Sequence, residues 1–191
     1  MKDRFFQHIN KFMAFDKDDF TEALSYFQYK EVDKKEMLME AASVCRQCFF
    51  VLKGCLHMYF INDKGVEKNI QFAIENWWMS DYLAYQHQQK TGFYIQAAEA
   101  SELLCLDYDK QNQLLTAFPQ LESYFRQVYQ IAYGASIMRV KYQFDYSKEE
   151  IFFSFSEQFP EFVQRVPQYM IATYLGLTPE YVSELRKKKR S

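Results

Sequence analysis

Near the C-terminal end of the chain, Arg186, Lys187, Lys188, Lys189 and Arg190 set five cations in a row directly behind the segment Thr178-Pro179-Glu180-Tyr181-Val182-Ser183-Glu184-Leu185. Cations at that density neutralise phosphates, and a helix whose polar face projects outward beside them has the character of one that enters a major groove. From Glu161 onward six cations stand against three carboxylates, a local +3 on a chain whose total is −2. A basic end on an acidic body is expected of a DNA-contacting module joined to a domain that does not touch DNA. A solvated basic tail without a partner has the same composition.

Two other sets of reactive side chains need weighing. Cys45-Arg46-Gln47-Cys48 has the spacing of half a metal site, but a metal site wants a second close pair. Cys55 and Cys105 stand alone in strand-like surroundings, so buried apolar thiols are the expectation. His8, His57 and His87 fall in separate elements, without a Ser or Cys nucleophile context or a carboxylate pair at helical spacing. No catalytic constellation is visible, and the chain is not expected to be an enzyme.

The polar segment is positioned by what precedes it. A helix can start on Pro167, where a missing amide proton costs nothing, and Met170, Ile171, Tyr174 and Leu175 then recur on one face. Gly176 ends that helix, because glycine takes the left-handed conformation that turns the chain. Thr178 caps the next helix and Pro179 fits its first turn. Val182 and Leu185 point back at the first helix, while Pro179, Glu180, Ser183, Glu184 and Lys187 face outward. This is the pattern of a helix-turn-helix; an ordinary helical hairpin shares it.

The rest of the chain is globular. Hydrophobic residues make up 49% of 191 positions, enough for a sizeable core, and 19 Phe and 15 Tyr predict one filled with rings. No signal peptide and no membrane-length apolar run is seen, so a cytoplasmic protein without a membrane partner is expected. A short helix is expected over Asp3 to Phe15, capped by Asp3, and a second beginning at Asp18 or Asp19. From Tyr29 to about Tyr108 the period becomes that of strands. Phe49 to Leu52 leads through Lys53-Gly54 to Leu56–Ile61, and the turn Asn62-Asp63-Lys64-Gly65 returns the chain along Val66 to Ile74 as a hairpin. Phe93 to Ala98 and Leu103 to Leu106 are expected to form a second hairpin, after a polar excursion at Asp81 to Lys90. Many short strands with regular turns predict an antiparallel barrel or jelly roll.

After Pro119 a long helix is expected. Leu121, Tyr124, Val128, Ile131, Ala135, Met138 and Tyr142 recur at alternating spacings of three and four, the period of a coiled-coil seam, and Gly134 and Ala135 would admit a close partner helix. A homodimer through this seam is expected; a helix packed on its own barrel is the competing reading. Ser147-Lys148-Glu149-Glu150 is a capped helix start, placing a hinge at Phe144 to Ser147.

A β roll, a long helix and a C-terminal helix-turn-helix together resemble the Crp/Fnr superfamily of transcription regulators over essentially the whole chain, closest to its short Bacteroidetes-type members. Phe49-Phe50-Val51-Leu52-Lys53-Gly54-Cys55-Leu56 is similar to the family's strand-Gly-strand motif, and Ala98-Glu99-Ala100-Ser101-Glu102-Leu103-Leu104-Cys105-Leu106 to the strands before its dimer helix. The resemblance implies an α+β fold: an antiparallel β-roll (jelly-roll) effector domain over 1–144 with its dimerisation helix at about 119–144, and an all-α helix-turn-helix DNA-binding domain over 145–191. DNA, a second copy of the chain and RNA polymerase are the implied partners, with a small-molecule effector of unknown identity and no cofactor.

In the family's cyclic-nucleotide sensors a Gly-Glu pair and an Arg on the next strand hold ribose and phosphate. The matching positions here are Ser80-Asp81 and Thr91, with Lys90 beside the latter and Trp78, Tyr82 and Phe93 as rings around the implied pocket. A phosphate enclosed without its guanidinium keeps its desolvation cost and gains no bidentate partner, so tight binding of cyclic AMP is not expected. On the recognition helix, the family's three base-facing positions become Pro179, Glu180 and Glu184. Glu180 matches an acidic reader that accepts from cytosine N4, whereas Pro179 and Glu184 replace cations. Thr178, Ser183, Arg186, Lys187, Lys188, Lys189 and Arg190 complete the implied DNA surface, with affinity resting on the cations. A dimer that senses a ligand but no longer reads DNA is the alternative function.

Overall fold

The computed structural model describes residues 2–190, apart from the side chains of Lys2, Lys189 and Arg190. The elements form two compact units. One runs up to Phe60 and resumes over Gln71–Gln130; the other comprises Ile61–Ile70 and the chain from Ile131 onward.

In the first unit, α1 (Lys2–Asn10) buries Phe5 and Ile9 on one face. Asp3 lies inside its first turn and is not its cap. Helix α2 (Lys17–Ala23) starts two residues earlier than expected, because Asp16 is the cap: its carboxylate accepts from the amides of Asp18, at 2.7 Å, and Asp19. Asp18 and Asp19 instead supply negative charge to the first turn, where the helix dipole favours it.

Eight strands follow: β1 (Gln28–Val32), β2 (Met37–Met39), β3 (Gln47–Lys53), β4 (Leu56–Ile61), β5 (Glu67–Ala73), β6 (Trp78–Met79), β7 (Tyr94–Ala97) and β8 (Ser101–Asp107). They form two four-stranded sheets, ordered β1-β8-β3-β6 and β2-β7-β4-β5, with antiparallel pairing and no closed barrel. The expected turn at Asn62 to Gly65 is present. Asn62 accepts from the amides of Lys64 and Val66 at 3.0 Å, and Gly65 takes φ +72°.

The second expected hairpin is not there. β7 pairs with β4 and β2, while β8 pairs with β1 and β3, so Ala98 to Ala100 carries the chain from one sheet to the other. Gly54 makes the matching crossing between β3 and β4. Its φ is +100°, and a Cβ there would collide with Ser101 Oγ, which accepts from the Cys55 amide at 3.1 Å. The two crossings therefore lock each other in place, and the glycine is required by space as well as by conformation.

Helix α3 (Tyr82–His87) lies between β6 and β7; α4 (Tyr108–Ala117) and α5 (Leu121–Asp145) follow β8. The core of the first unit is a cluster of rings around Phe5, which meets Phe20, Phe27, Phe50, Trp78 and Tyr124 with centroids 4.7–6.3 Å apart. Inside it, Trp78 Nε1 donates to the Tyr124 hydroxyl at 2.8 Å, and that hydroxyl stands 2.8 Å from His8 Nδ1. The Tyr124 hydroxyl thus links the indole of Trp78 to the imidazole of His8. Burial, with Lys11 nearby, lowers the His8 pKa to about 4.

In the second unit, α6 (Lys148–Gln158) opens on a full capping box: Ser147 Oγ accepts from the Glu150 amide and Glu150 accepts from the Ser147 amide. Then come α7 (Pro160–Arg165), α8 (Gln168–Leu175) and α9 (Pro179–Arg190). No helix among the described residues is long and apolar enough to cross a membrane.

Candidate DNA-reading surface and effector site

Helix α8 begins one residue after Pro167, which is its N-cap, and stops at Gly176, φ +72° and ψ 23°. The amide of Leu177 returns to the Ala172 carbonyl at 2.8 Å, closing the turn, and the Thr178 hydroxyl accepts from the Tyr181 amide at 3.2 Å to cap α9. Phe152, Ala172, Leu177, Val182 and Leu185 form the core beneath. Thr178, Pro179, Glu180 and Glu184 are exposed, and Ser183 is half-buried. Gln168, at the start of α8, donates to the Pro179 carbonyl at 3.0 Å and fixes the first turn of α9. This arrangement holds a polar helix face outward on a small rigid core.

The cations behind that face are not all available. Arg186 is half-buried and donates to the Val163 carbonyl at 3.0 Å, tying α9 to α7. Lys188 pairs with Glu149 at 2.6 Å, and that hydrogen bond holds its pKa above the ordinary lysine value. Arg165 and Lys187 are exposed. Lys189 and Arg190, also expected on this surface, have side chains outside the described residues. Arg186 thus serves the fold of the unit, while Lys188 makes an exposed ion pair of the kind that contributes little to stability.

Of the seven expected effector residues, the structure brings together Asp81, Thr91 and Phe93. One Asp81 oxygen accepts from the Ala84 amide at 3.2 Å, capping α3, and the other accepts from Thr91 Oγ1 at 2.8 Å. Thr91 Oγ1 in turn accepts from the Phe93 amide at 3.0 Å. Ser80, also buried, donates to the Gln47 carbonyl at 2.9 Å and lies 3.3 Å from Cys45 Sγ. Trp78 lies instead in the ring core around Phe5. Tyr82 packs on Tyr129 with centroids 4.9 Å apart, its hydroxyl pushed far up in pKa by burial. Lys90 is exposed. Each polar group at the Ser80, Asp81 and Thr91 positions already has an intramolecular partner. A cleft of about 450 Å³ has Met37, Met39, Arg46, Phe49 and Asp107 in its lining and none of the seven.

Cys45 and Cys48 are buried and point to different partners, Cys48 Sγ facing the Leu106 carbonyl at 3.6 Å. Burial raises both thiols, and Cys105 to about 11, leaving them protonated at neutral pH. Among the described residues no group of three His, Cys, Asp or Glu side chains could hold a metal ion.

The seam expected on α5 divides. Leu121 and Tyr124 are buried in the ring core of the first unit and are not available to a second chain; Val128 is half-buried. Ile131 is 59% exposed and Met138 43%, with Ala135 exposed and Tyr142 half-buried, its ring stacked on Tyr146 at 5.0 Å. A second exposed row was missed: Tyr133, Ile137, Val140 and Phe144, at spacings of four, three and four. That spacing could have been read from the sequence; it was masked by the better match of the first row over the whole helix.

This architecture recurs among solved structures. The chain is similar to the c-di-GMP responsive global regulator CLP of Xanthomonas campestris, with a TM-score of 0.73 and 10% identity over 92% of each chain. It is similar to FixK2 of Bradyrhizobium japonicum, TM-score 0.71 and 13% identity over 85% of this chain and 83% of that one. The catabolite activator protein of Thermus thermophilus gives a TM-score of 0.57 and 14% identity over 93% and 84%. No family sequence profile matches the chain, and no curated protein sequence does. At these identities the likeness establishes the fold alone, an α+β architecture shared with these solved structures.

Proposed function

We propose that the chain is a homodimeric, DNA-binding transcriptional regulator of Crp/Fnr type whose effector is not cyclic AMP. The observation that carries this reading is the outward polar face of α9, held by the Gly176 turn, the Thr178 cap and the core beneath them. Regulators of gene expression share the fold, CLP among them. Thr178, Glu180 and Ser183 face the bases; Lys187, Arg165 and the end of the basic run lie on phosphates. Glu184, at a base-facing position where the family carries a cation, repels the phosphates that flank the groove. The exposed rows of α5 supply the dimer contact, with Ile131, Ala135 and Met138 at its centre.

The effector reading rests on Asp81 and Thr91. Their hydrogen bond occupies the carboxylate that a ribose would need, and no guanidinium stands at position 91 to meet a cyclic phosphate.

Fluorescence anisotropy with labelled duplex DNA tests the surface. Glu184→Arg raises affinity for all duplexes about tenfold and steepens the salt dependence by about one unit, since one more phosphate contact forms. Glu180→Ala leaves that slope alone and flattens the preference among sequences. If neither substitution changes binding, α9 is not the DNA-reading element, and the dimer belongs to the ligand-sensing or interaction class.

A further inference from the structure

Three elements of the second unit meet at one side chain. Arg139 on α5 donates from Nη1 to the Ile70 carbonyl on β5 and from Nη2 to the Tyr174 carbonyl on α8, the latter at 2.8 Å. Its Cζ stands 4.1 Å from the centre of the Tyr174 ring. One residue along β5, Asn69 is 3% exposed and donates to Thr173 Oγ1 at 2.8 Å; Thr173 donates in turn to the Met170 carbonyl at 3.1 Å. Two neighbouring residues of the strand thus engage two neighbouring residues of the helix, and Arg139 spans both elements. The Tyr174 ring also packs on Phe155 of α6, with centroids 5.7 Å apart.

The chemistry of these contacts is specific. The Tyr174 carbonyl belongs to the last turn of α8, where carbonyls have no intrahelical partner and the dipole favours a cation. Arg139 caps that end. Its two hydrogen-bond partners are backbone carbonyls on different elements, which a planar guanidinium can span while stacking on a ring, whereas an ammonium gathers its three donors on one compact nitrogen. A charge needed only for its sign would not require that shape.

We propose that Arg139 is a positioning residue that joins the long helix, the 61–70 hairpin and the helix-turn-helix into one body. The direction of α9 is then set by α5 and β5, and not by the short connection at Tyr146 and Ser147 alone. In a dimer built on α5, Arg139 consequently fixes the separation of the two reading helices; this consequence rests on the proposed DNA-binding function, while the joining itself does not.

Hydrogen exchange on the full-length protein tests the joining, with Arg139→Met, Arg139→Lys and Asn69→Ala. Both Arg139 variants speed exchange in residues 67–70 and in α8 together, by about tenfold, and leave β3 and β8 at the wild-type rate. Asn69→Ala moves the same two segments by a smaller factor, and it keeps the test alive if Arg139→Met does not fold. Full protection in Arg139→Lys, or loosening of only one segment, overturns the proposal. A second arm uses duplexes in which two half-sites are set at varied separations. The wild type prefers one separation and Arg139→Lys loses that preference at unchanged half-site affinity; a retained preference also counts against the proposal. If the wild type binds no DNA, the proposed function fails and the exchange result still decides the joining.

Discussion

The two halves of α5 carry apolar residues at the same helical spacing and have opposite surroundings. In the first half Leu121, Tyr124 and Phe125 are buried, with Tyr124 edge-on to Phe5, His8 and Phe12 from α1 and its neighbourhood. In the second half Ile131, Tyr133 and Phe144 are 59%, 70% and 85% exposed. The spacing records that the helix is covered; what covers it is a separate matter. Where α1 and the β roll supply rings, the stripe is core. Where they do not, a row of large apolar groups faces water over four turns, the kind of patch that marks an interaction surface.

The contrast is tested most strongly by charge. Ile131→Asp places a carboxylate at the centre of the proposed contact and weakens association by about 3–5 kcal/mol, because each copy buries an unpaired charge. Analytical ultracentrifugation should show monomers at concentrations where the wild type is dimeric, with unchanged circular dichroism. A wild type that is already monomeric at micromolar concentration removes the dimer from the account.

In the buried half, Tyr124→Phe keeps the ring and deletes the hydroxyl that links Trp78 to His8, leaving two buried polar groups unpaired. The cost expected in urea unfolding is about 2–4 kcal/mol, with the oligomeric state untouched. Burial of His8 beside that hydroxyl makes a smaller, pH-dependent contribution. His8 has a folded pKa of about 4 against an ordinary 6.5, so between those values the unfolded chain binds more protons than the folded one. The contribution is complete above pH 6.5 and declines as the pH falls toward 4. His8→Gln should flatten that segment of the stability profile; an unchanged slope would mean that His8 is already charged in the folded protein.

What could be read in the sequence was local. Gly176, Thr178 and Pro179 announce their turn because the constraint lies in the residues themselves: a left-handed φ, a capping hydroxyl, a missing amide. The same holds for Asn62 to Gly65. What could not be read depends on distant partners. β7 and β8 are separated by three residues and look like a hairpin, but they enter different sheets, because each finds its neighbours at strands distant in sequence, as in Tyr59↔Tyr94, Phe49↔Cys105 and Gln28↔Cys105. Trp78 looked like a pocket ring and belongs to the core, 5% exposed and packed against Phe5, which lies more than seventy positions away in sequence. Asp81 and Thr91 stand ten positions apart, and only the fold shows that they satisfy each other. Nor does a run of cations in sequence show that Arg186 reaches the Val163 carbonyl and Lys188 reaches Glu149.

Selection of duplexes from a random pool by the full-length protein, at low salt and without added effector, addresses the central claim most directly. The account predicts enrichment of a palindrome with half-sites centred about one helical turn apart, roughly 34 Å, and loss of that enrichment in Ile131→Asp. A pool that emerges unenriched, or one enriched equally by the wild type and by Ile131→Asp, would contradict a dimeric reader built on α5 and α9.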